Sequence, residues 1–178
     1  MFALKLKGLE HIHPIFDQIL NRKEKEGLLK QKGIVVWMTG LSGSGKSTIA
    51  KGLESQLHQS GYVTKLLDGD NVRSGLCKNL GFSQEDRIEN IRRIAEVSRL
   101  FLDTGVITVN SFISPTLANR EMAGDIIGHK DFIKEFTGIH AKFEAPVEPS
   151  LEINTDQESA EESVNRLFNH LVRLVSIT

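Results

Sequence analysis

Ile34-Val35-Val36-Trp37-Met38, followed after Thr39 by Gly40-Leu41-Ser42-Gly43-Ser44-Gly45-Lys46-Ser47-Thr48, is a short apolar run that feeds a glycine-rich turn. Beyond it, Ile49, Ala50, Leu53 and Leu57 recur at helical spacing until Gly61 stops the pattern. The turn reads G-x-x-x-x-G-K-[ST]. Lying between a strand and a helix, it is better explained as a phosphate cradle than as an ordinary connection. Gly40, Gly43 and Gly45 lack a Cβ, so the backbone can take positive φ and bring its N–H groups against phosphate oxygens. The helix start adds its own unpaired N–H groups and the positive end of its dipole. Lys46 can span the β- and γ-phosphates as a point charge, and the Ser47 hydroxyl is suited to ligating Mg²⁺.

Working outward, residues 62–67 (YVTKLL) read as a second strand that delivers Asp68-Gly69-Asp70-Asn71 at its carboxyl end. Ser83-Gln84-Glu85-Asp86 resembles a capping box, and Ile88, Ile91, Ala95, Val97 and Phe101 carry an amphipathic helix to Gly105. Residues 106–112 (VITVNSF) form a third strand ending in Ile113-Ser114-Pro115, and residues 151–154 a short late one. Ser159-Ala160-Glu161-Glu162 caps a last helix with apolar Val164, Leu167, Phe168, Leu171, Leu174 and Val175. Strands alternating with helices predict an α/β domain with a parallel sheet covered on both faces. The expected division is an N-terminal helix and charged linker over residues 1–32 and a single phosphate-loop domain over 33–178.

Ligands of such sheets bind beyond the carboxyl ends of the strands. Here those ends carry GLSGSGKS, DGDN and FISP, so polar groups from three distant segments converge. A second anion site is expected beside the first. Arg73 follows the second strand, while Arg87 and Asn90 lie one turn apart near the start of the long helix. A guanidinium fork suits sulfate or phosphate oxygens better than an ammonium does. Arg92 and Arg99 read instead as a solvated face. Phe82 has two open readings, a hydrophobic staple on the helix start or a face offered to a purine.

Composition bounds the alternatives. Lys and Arg number 22 against 23 for Asp and Glu, a net charge of −1 over 178 residues, so no basic excess argues for a nucleic-acid groove. No apolar run is long enough to span a bilayer and the N-terminus lacks a secretory pattern, so a cytoplasmic location is expected. The single Cys77 fits a reducing compartment and is given no role. His11 and His13 lack further ligands at metal-binding spacing.

The stretches WMTGLSGSGKSTIA, LLDGDNVRSGL, LGFSQEDRIENIRRIAEV, SFISP, FTGI and FEAP together resemble the adenylylsulfate kinase family. The resemblance implies a kinase that phosphorylates the ribose 3′-hydroxyl of adenosine 5′-phosphosulfate with ATP and Mg²⁺. By this resemblance Gly40 to Thr48 hold ATP, with Ser47 on the metal. Lys46 steadies the developing charge, and Asp70 is the carboxylate near the attacking hydroxyl. Asp68, one step closer to the strand, is the competing base and the expected structural partner. Arg73, Arg87 and Asn90 hold the phosphosulfate, and Phe82 and Phe136 sandwich the adenine beside the backbone at Ile113 and Ser114. Some relatives phosphorylate the serine of FISP, here Ser114. In-line transfer needs no such intermediate, which leaves its role open. Dimers are also implied.

One interval departs from the family pattern. After Asn119-Arg120-Glu121-Met122, relatives continue through a helix, a strand entering the sheet and a basic lid over ATP before FTGI. Here GDIIGHKDFIKEFTGI runs straight through. Either Asp131-Phe132-Ile133 begins that strand and the rest is missing with the lid, or residues 132–136 are the strand and FTGI is drawn into it. A lost strand would open the middle of the sheet, and a lost lid would slow turnover. The two further functions in play are a lid-deficient module that binds adenosine phosphosulfate with little turnover, and a kinase of another small hydroxyl substrate.

Overall fold

The computed structural model describes residues 12–137, 144–146 and 149–177. Five strands form one sheet in the order β2-β3-β1-β4-β5, every pair parallel. They are β1 (Ile34–Thr39), β2 (Thr64–Asp68), β3 (Ile107–Ser111), β4 (Phe132–Thr137) and β5 (Leu151–Ile153). The helices are α1 (Arg22–Leu29), α2 (Lys46–Gln59), α3 (Gly69–Ser74), α4 (Gln84–Leu102), α5 (Leu117–Ile127) and α6 (Ala160–Val175).

The central strand β1 is buried throughout, and its period of two divides the core. Ile34, Val36 and Met38 face Ile49, Leu53 and Leu57 of α2 and Leu167, Leu171 and Val175 of α6. Val35 and Trp37 face Ile91, Ile94, Ala95 and Leu102 of α4 and Ala123 and Ile127 of α5. Each of these large side chains contributes about 1.5–3 kcal/mol by leaving water. Helices α2 and α6 approach closely at Gly52, where a Cβ would lie 2.7 Å from Val164 Cγ2.

The second of the two readings of the departing interval holds. Residues 132–137 are a strand beside β1, with Val35 opposite Phe132 and Thr39 opposite Phe136, and β5 pairs on its other side. The sheet has no hole in its middle. Buried Phe132 packs its ring 5.5 Å from that of Trp37, which helps to set the register.

Two apolar stripes differ from the sequence pattern. Ile88 is exposed and Val97 and Phe101 only half-buried on α4, whose buried line is Ile91, Ile94, Ala95, Ser98 and Leu102. On α6 Leu174 is exposed, and Ser163 joins Leu167, Leu171 and Val175 inside. In both helices the sheet selects one i, i+3/i+4 line from a broader apolar surface. No residue of α1 is buried, in keeping with a charged, solvated helix, yet its start is tied down. Arg22 forks onto both carboxylate oxygens of Asp131 at 2.7 and 3.2 Å, and buried Gln31 bonds Val63 and Gly105. Among the described residues no helix is long and apolar enough to cross a membrane.

Candidate active site

The chain turns to opposite sides of β1 before and after α5, so a crevice opens at the carboxyl ends of β1 and β3. It encloses about 520 Å³. The phosphate loop contributes Ser42, Gly43, Gly45, Lys46, Ser47 and Thr48, and the tip of β2 with α3 contributes Asp68, Gly69, Asp70 and Arg73. Phe82, Arg87, Asn90 and Ile91 come from the start of α4, and Ser111 to Pro115 with Asn119 from beyond β3. The segments expected to converge from the sequence therefore share one wall-to-wall cleft.

In the loop, Gly40, Gly43 and Gly45 take positive φ values of 152°, 80° and 81°, which glycine reaches without the steric cost of a Cβ. Lys46 curls back so that its ammonium donates to the Leu41 carbonyl and to Ser44 Oγ at 3.2 Å. Gly40, Leu41 and Ser44 thus shape the loop and hold its lysine rather than line the cleft. Burial pushes the Lys46 ammonium down to about 8 from 10.5, against the opposing pull of Asp68.

The two aspartates separate by what they already hold. Asp68 caps α3 by accepting from the Asp70 N–H at 3.1 Å, and its other oxygen accepts from Ser47 Oγ at 2.8 Å. Asp70 is exposed in the first turn of α3, and among the described residues its carboxylate has no hydrogen-bond partner. Ser47 Oγ also lies 3.4 Å from Ser111 Oγ. A hydroxyl beside a carboxylate is the hard-oxygen set that Mg²⁺ takes from protein when phosphates and water complete its shell. No group of three or more His, Cys, Asp or Glu among the described residues offers an all-protein cage, so Ser47 and Asp68 fit a metal that arrives with a nucleotide.

On the other wall, Phe82 is 71% exposed and so does not serve as a buried staple. Arg73 and Arg87 place their guanidinium carbons 4.5 and 5.8 Å from its ring centre. Both arginines are steered by turn carbonyls, Arg73 by Gly81 at 3.0 Å and Arg87 by Phe82 at 3.0 Å. Ser83 caps α4 by accepting from the Asp86 N–H, while the Asp86 carboxylate accepts from the Gly81 N–H at 3.0 Å. This fixes the turn that carries Phe82. Asn90 is buried, and among the described residues its Oδ1 has no partner although the residue lines the cleft. Such an acceptor costs free energy until a ligand donor reaches it. Arg92 pairs with Glu89, and Arg99 with Asp103, on the solvated face expected for them.

Ser114 borders the cleft, but its residue is 2% exposed and its hydroxyl is engaged. Trp37 Nε1 donates to it at 3.1 Å and Thr39 Oγ1 lies 2.9 Å away. That geometry ties the loop after β3 to β1 through the Ser114 hydroxyl. The Phe136 backbone lies in β4 between Thr39 and Glu152, and its side chain falls outside the described residues, as do residues 138–143 with the last two residues of FTGI. Sequence reading missed Ser111 and Asn119. Strand alternation up to Phe112 held the clue to Ser111, and the Thr116-x-x-Asn119 cap spacing the clue to Asn119, whose N–H donates to Thr116 Oγ1.

Comparison with known proteins agrees with this arrangement. The profile of the family described as adenylylsulphate kinase matches residues 32–134. An adenylyl-sulfate kinase of Bacteroides fragilis is 51% identical, the alignment covering 93% of this chain and 96% of the relative. That alignment spans 194 positions, more than the 178 residues of this chain, so the relative carries residues with no counterpart here. A solved Mycobacterium tuberculosis APS kinase, a Cys-to-Ala mutant, is 37% identical with a TM-score of 0.73, covering 79% of this chain and 97% of that one. The same kinase in complex with AMPPNP and APS is 33% identical with a TM-score of 0.72, covering 79% and 98%. With its motifs gathered in one cleft and its relatives matched along nearly their full length, the chain belongs to the adenylylsulfate kinase family.

Proposed function

We propose that the protein transfers the γ-phosphoryl group of ATP to the ribose 3′-hydroxyl of adenosine 5′-phosphosulfate, giving 3′-phosphoadenosine 5′-phosphosulfate and ADP. The observation that carries this is the shared cleft. A triphosphate cradle, an unengaged Asp70 carboxylate and a wall of Arg73, Arg87, Phe82 and Asn90 line it together. The O3′–P bond forms as the bond from the γ-phosphorus to the β,γ-bridging oxygen breaks, and the hydroxyl proton passes to Asp70. Lys46 and the loop N–H groups meet the charge that develops on the leaving oxygen. Arg73 and Arg87 fork onto the phosphosulfate, Asn90 takes a donor of the bound nucleoside, and Phe82 with Phe136 flanks the adenine. Ser111, Ile113 and Ser114 border that site. Positioning two substrates for in-line attack supplies much of the rate.

Mg²⁺, held at Ser47 and Asp68 with the nucleotide, would neutralise phosphate charge. A cytoplasmic setting and a homodimer belong to the same proposal, and light scattering of the purified chain tests the assembly. The expected result of the central experiment is ADP release that needs both ATP·Mg²⁺ and adenosine 5′-phosphosulfate. Release without the second substrate, or none with both present, defeats the proposal.

The extra positions in the relative favour one alternative, a chain short of its lid that binds adenosine 5′-phosphosulfate with little turnover. Binding by calorimetry without ADP release selects it.

A further inference from the structure

Ser114 is one of two described non-glycine residues with positive φ, at 32°, and it sits where the chain leaves β3 for α5. A side chain in that conformation is held there by its surroundings. Three holders are visible. Trp37 Nε1 donates to Ser114 Oγ at 3.1 Å. Thr39 Oγ1 lies 2.9 Å from that oxygen and donates to the Ile113 carbonyl at 2.8 Å. Arg120, 1% exposed, donates to the Ser114 carbonyl at 2.7 Å and to the Glu144 carbonyl. The last bond reaches across the chain, and the Glu144 N–H in turn donates to the Pro115 carbonyl at 3.1 Å. Trp37 and Thr39 belong to the strand that launches the phosphate loop, so one rigid element orients both walls of the cleft.

We infer that Trp37, Thr39 and Arg120 are positioning residues that act through Ser114 to present the Ile113–Pro115 backbone to the nucleoside of the phosphoryl acceptor. Ser114 then serves as the hinge pin of this loop and is not a phosphoryl carrier. This rests on the proposed function, since it concerns how the acceptor is held. The buried tie between Trp37 and Ser114 requires an indole N–H rather than any aromatic ring. Trp37→Phe removes that donor and keeps apolar bulk against Phe112 and Phe132, whose rings lie 5.8 and 5.5 Å away.

The test is steady-state kinetics of the full chain with ATP·Mg²⁺ and adenosine 5′-phosphosulfate. Loss of one buried hydrogen bond in Trp37→Phe should raise KM for the sulfated nucleotide about fivefold to tenfold, with KM for ATP unchanged within about twofold. Ser114→Ala should show the same split and keep kcat within about tenfold. The double variant should be no worse than the worse single one, because both changes break the same bond. Arg120→Lys should recover part of the acceptor KM lost in Arg120→Met. Thr39→Val carries the same test should Trp37→Phe fail to fold.

Equal shifts in both KM values, a lowered Tm with neither KM changed, or multiplicative losses in the double variant would overturn the inference. So would a collapse of kcat in Ser114→Ala by on the order of 10³-fold, which would make the hydroxyl a reacting group. Wild-type protein that releases no ADP with both substrates defeats the functional proposal itself. An active wild type with unselective variants defeats only this inference.

Discussion

The two walls of the cleft are built in opposite ways. The triphosphate wall comes from one contiguous segment, the loop from Gly40 to Thr48, which faces the cleft with Ser42, Gly43 and Gly45 to Thr48 and works through its backbone, Lys46 and Ser47. The acceptor wall takes side chains from α3, from the start of α4 and from the loop after β3, pieces that meet only because β2 and β3 pair side by side. A backbone cradle recognises phosphate and little else, and the same local sequence can work in many folds. Choice of acceptor therefore rests on the wall with the longest sequence separations. That wall should be the more easily damaged in its selectivity, and the other the more easily damaged in its use of ATP.

The sharpest break in this comparison is expected at Asp70, the carboxylate of the acceptor wall that the proposed function assigns as proton acceptor. Asp70→Asn should lower kcat on the order of 10³-fold, with both KM values nearly unchanged, in steady-state assays. Arg87→Ala comes next. Losing a charge-assisted bond should raise KM for adenosine 5′-phosphosulfate about 10- to 100-fold and leave KM for ATP within about threefold. Equal rises in both would point to a general loosening.

A smaller effect isolates the triphosphate wall. Lys46 must be charged to meet phosphate, and burial lowers its pKa to about 8. The protonated fraction falls as pH rises through that value, so kcat/KM for ATP should drop about tenfold per pH unit above it, and Lys46→Arg should flatten the profile. Stability moves the other way. Between about 8 and 10.5 the unfolded chain keeps a proton that the folded chain has released, so this residue's contribution to stability rises with pH, which titration of urea midpoints would show. Smallest is Ser83→Ala, which removes the cap of α4 and should cost about 1 kcal/mol by urea unfolding. Any kinetic effect should appear in the KM of the sulfated nucleotide, since Phe82 and Arg87 flank that cap.

The sequence by itself determined the phosphate loop, the parallel α/β plan and the three strand-end segments that meet in the cleft, though not Ser111 or Asn119. Those features are local in their signal: glycines that permit positive φ, alternating apolar runs, and caps such as Ser159 with Glu162, whose reciprocal bonds form as the spacing predicts. Tertiary structure decided whatever depended on a distant partner. Residues 132–137 could be read as a complete strand or a fragment until the free edge of β1 and the ring of Trp37 fixed them. Ile88 and Phe101 matched a helical stripe, but the orientation of α4 on the sheet chose Ile94, Ser98 and Leu102 for the core. The sequence left the role of Ser114 open, and only the fold brings Trp37 and Thr39 onto its hydroxyl. Hydrophobic period and backbone preference act within a few residues of chain, whereas register, helix face and hydrogen-bond partners are settled by neighbours tens of residues away, which no short stretch of sequence encodes.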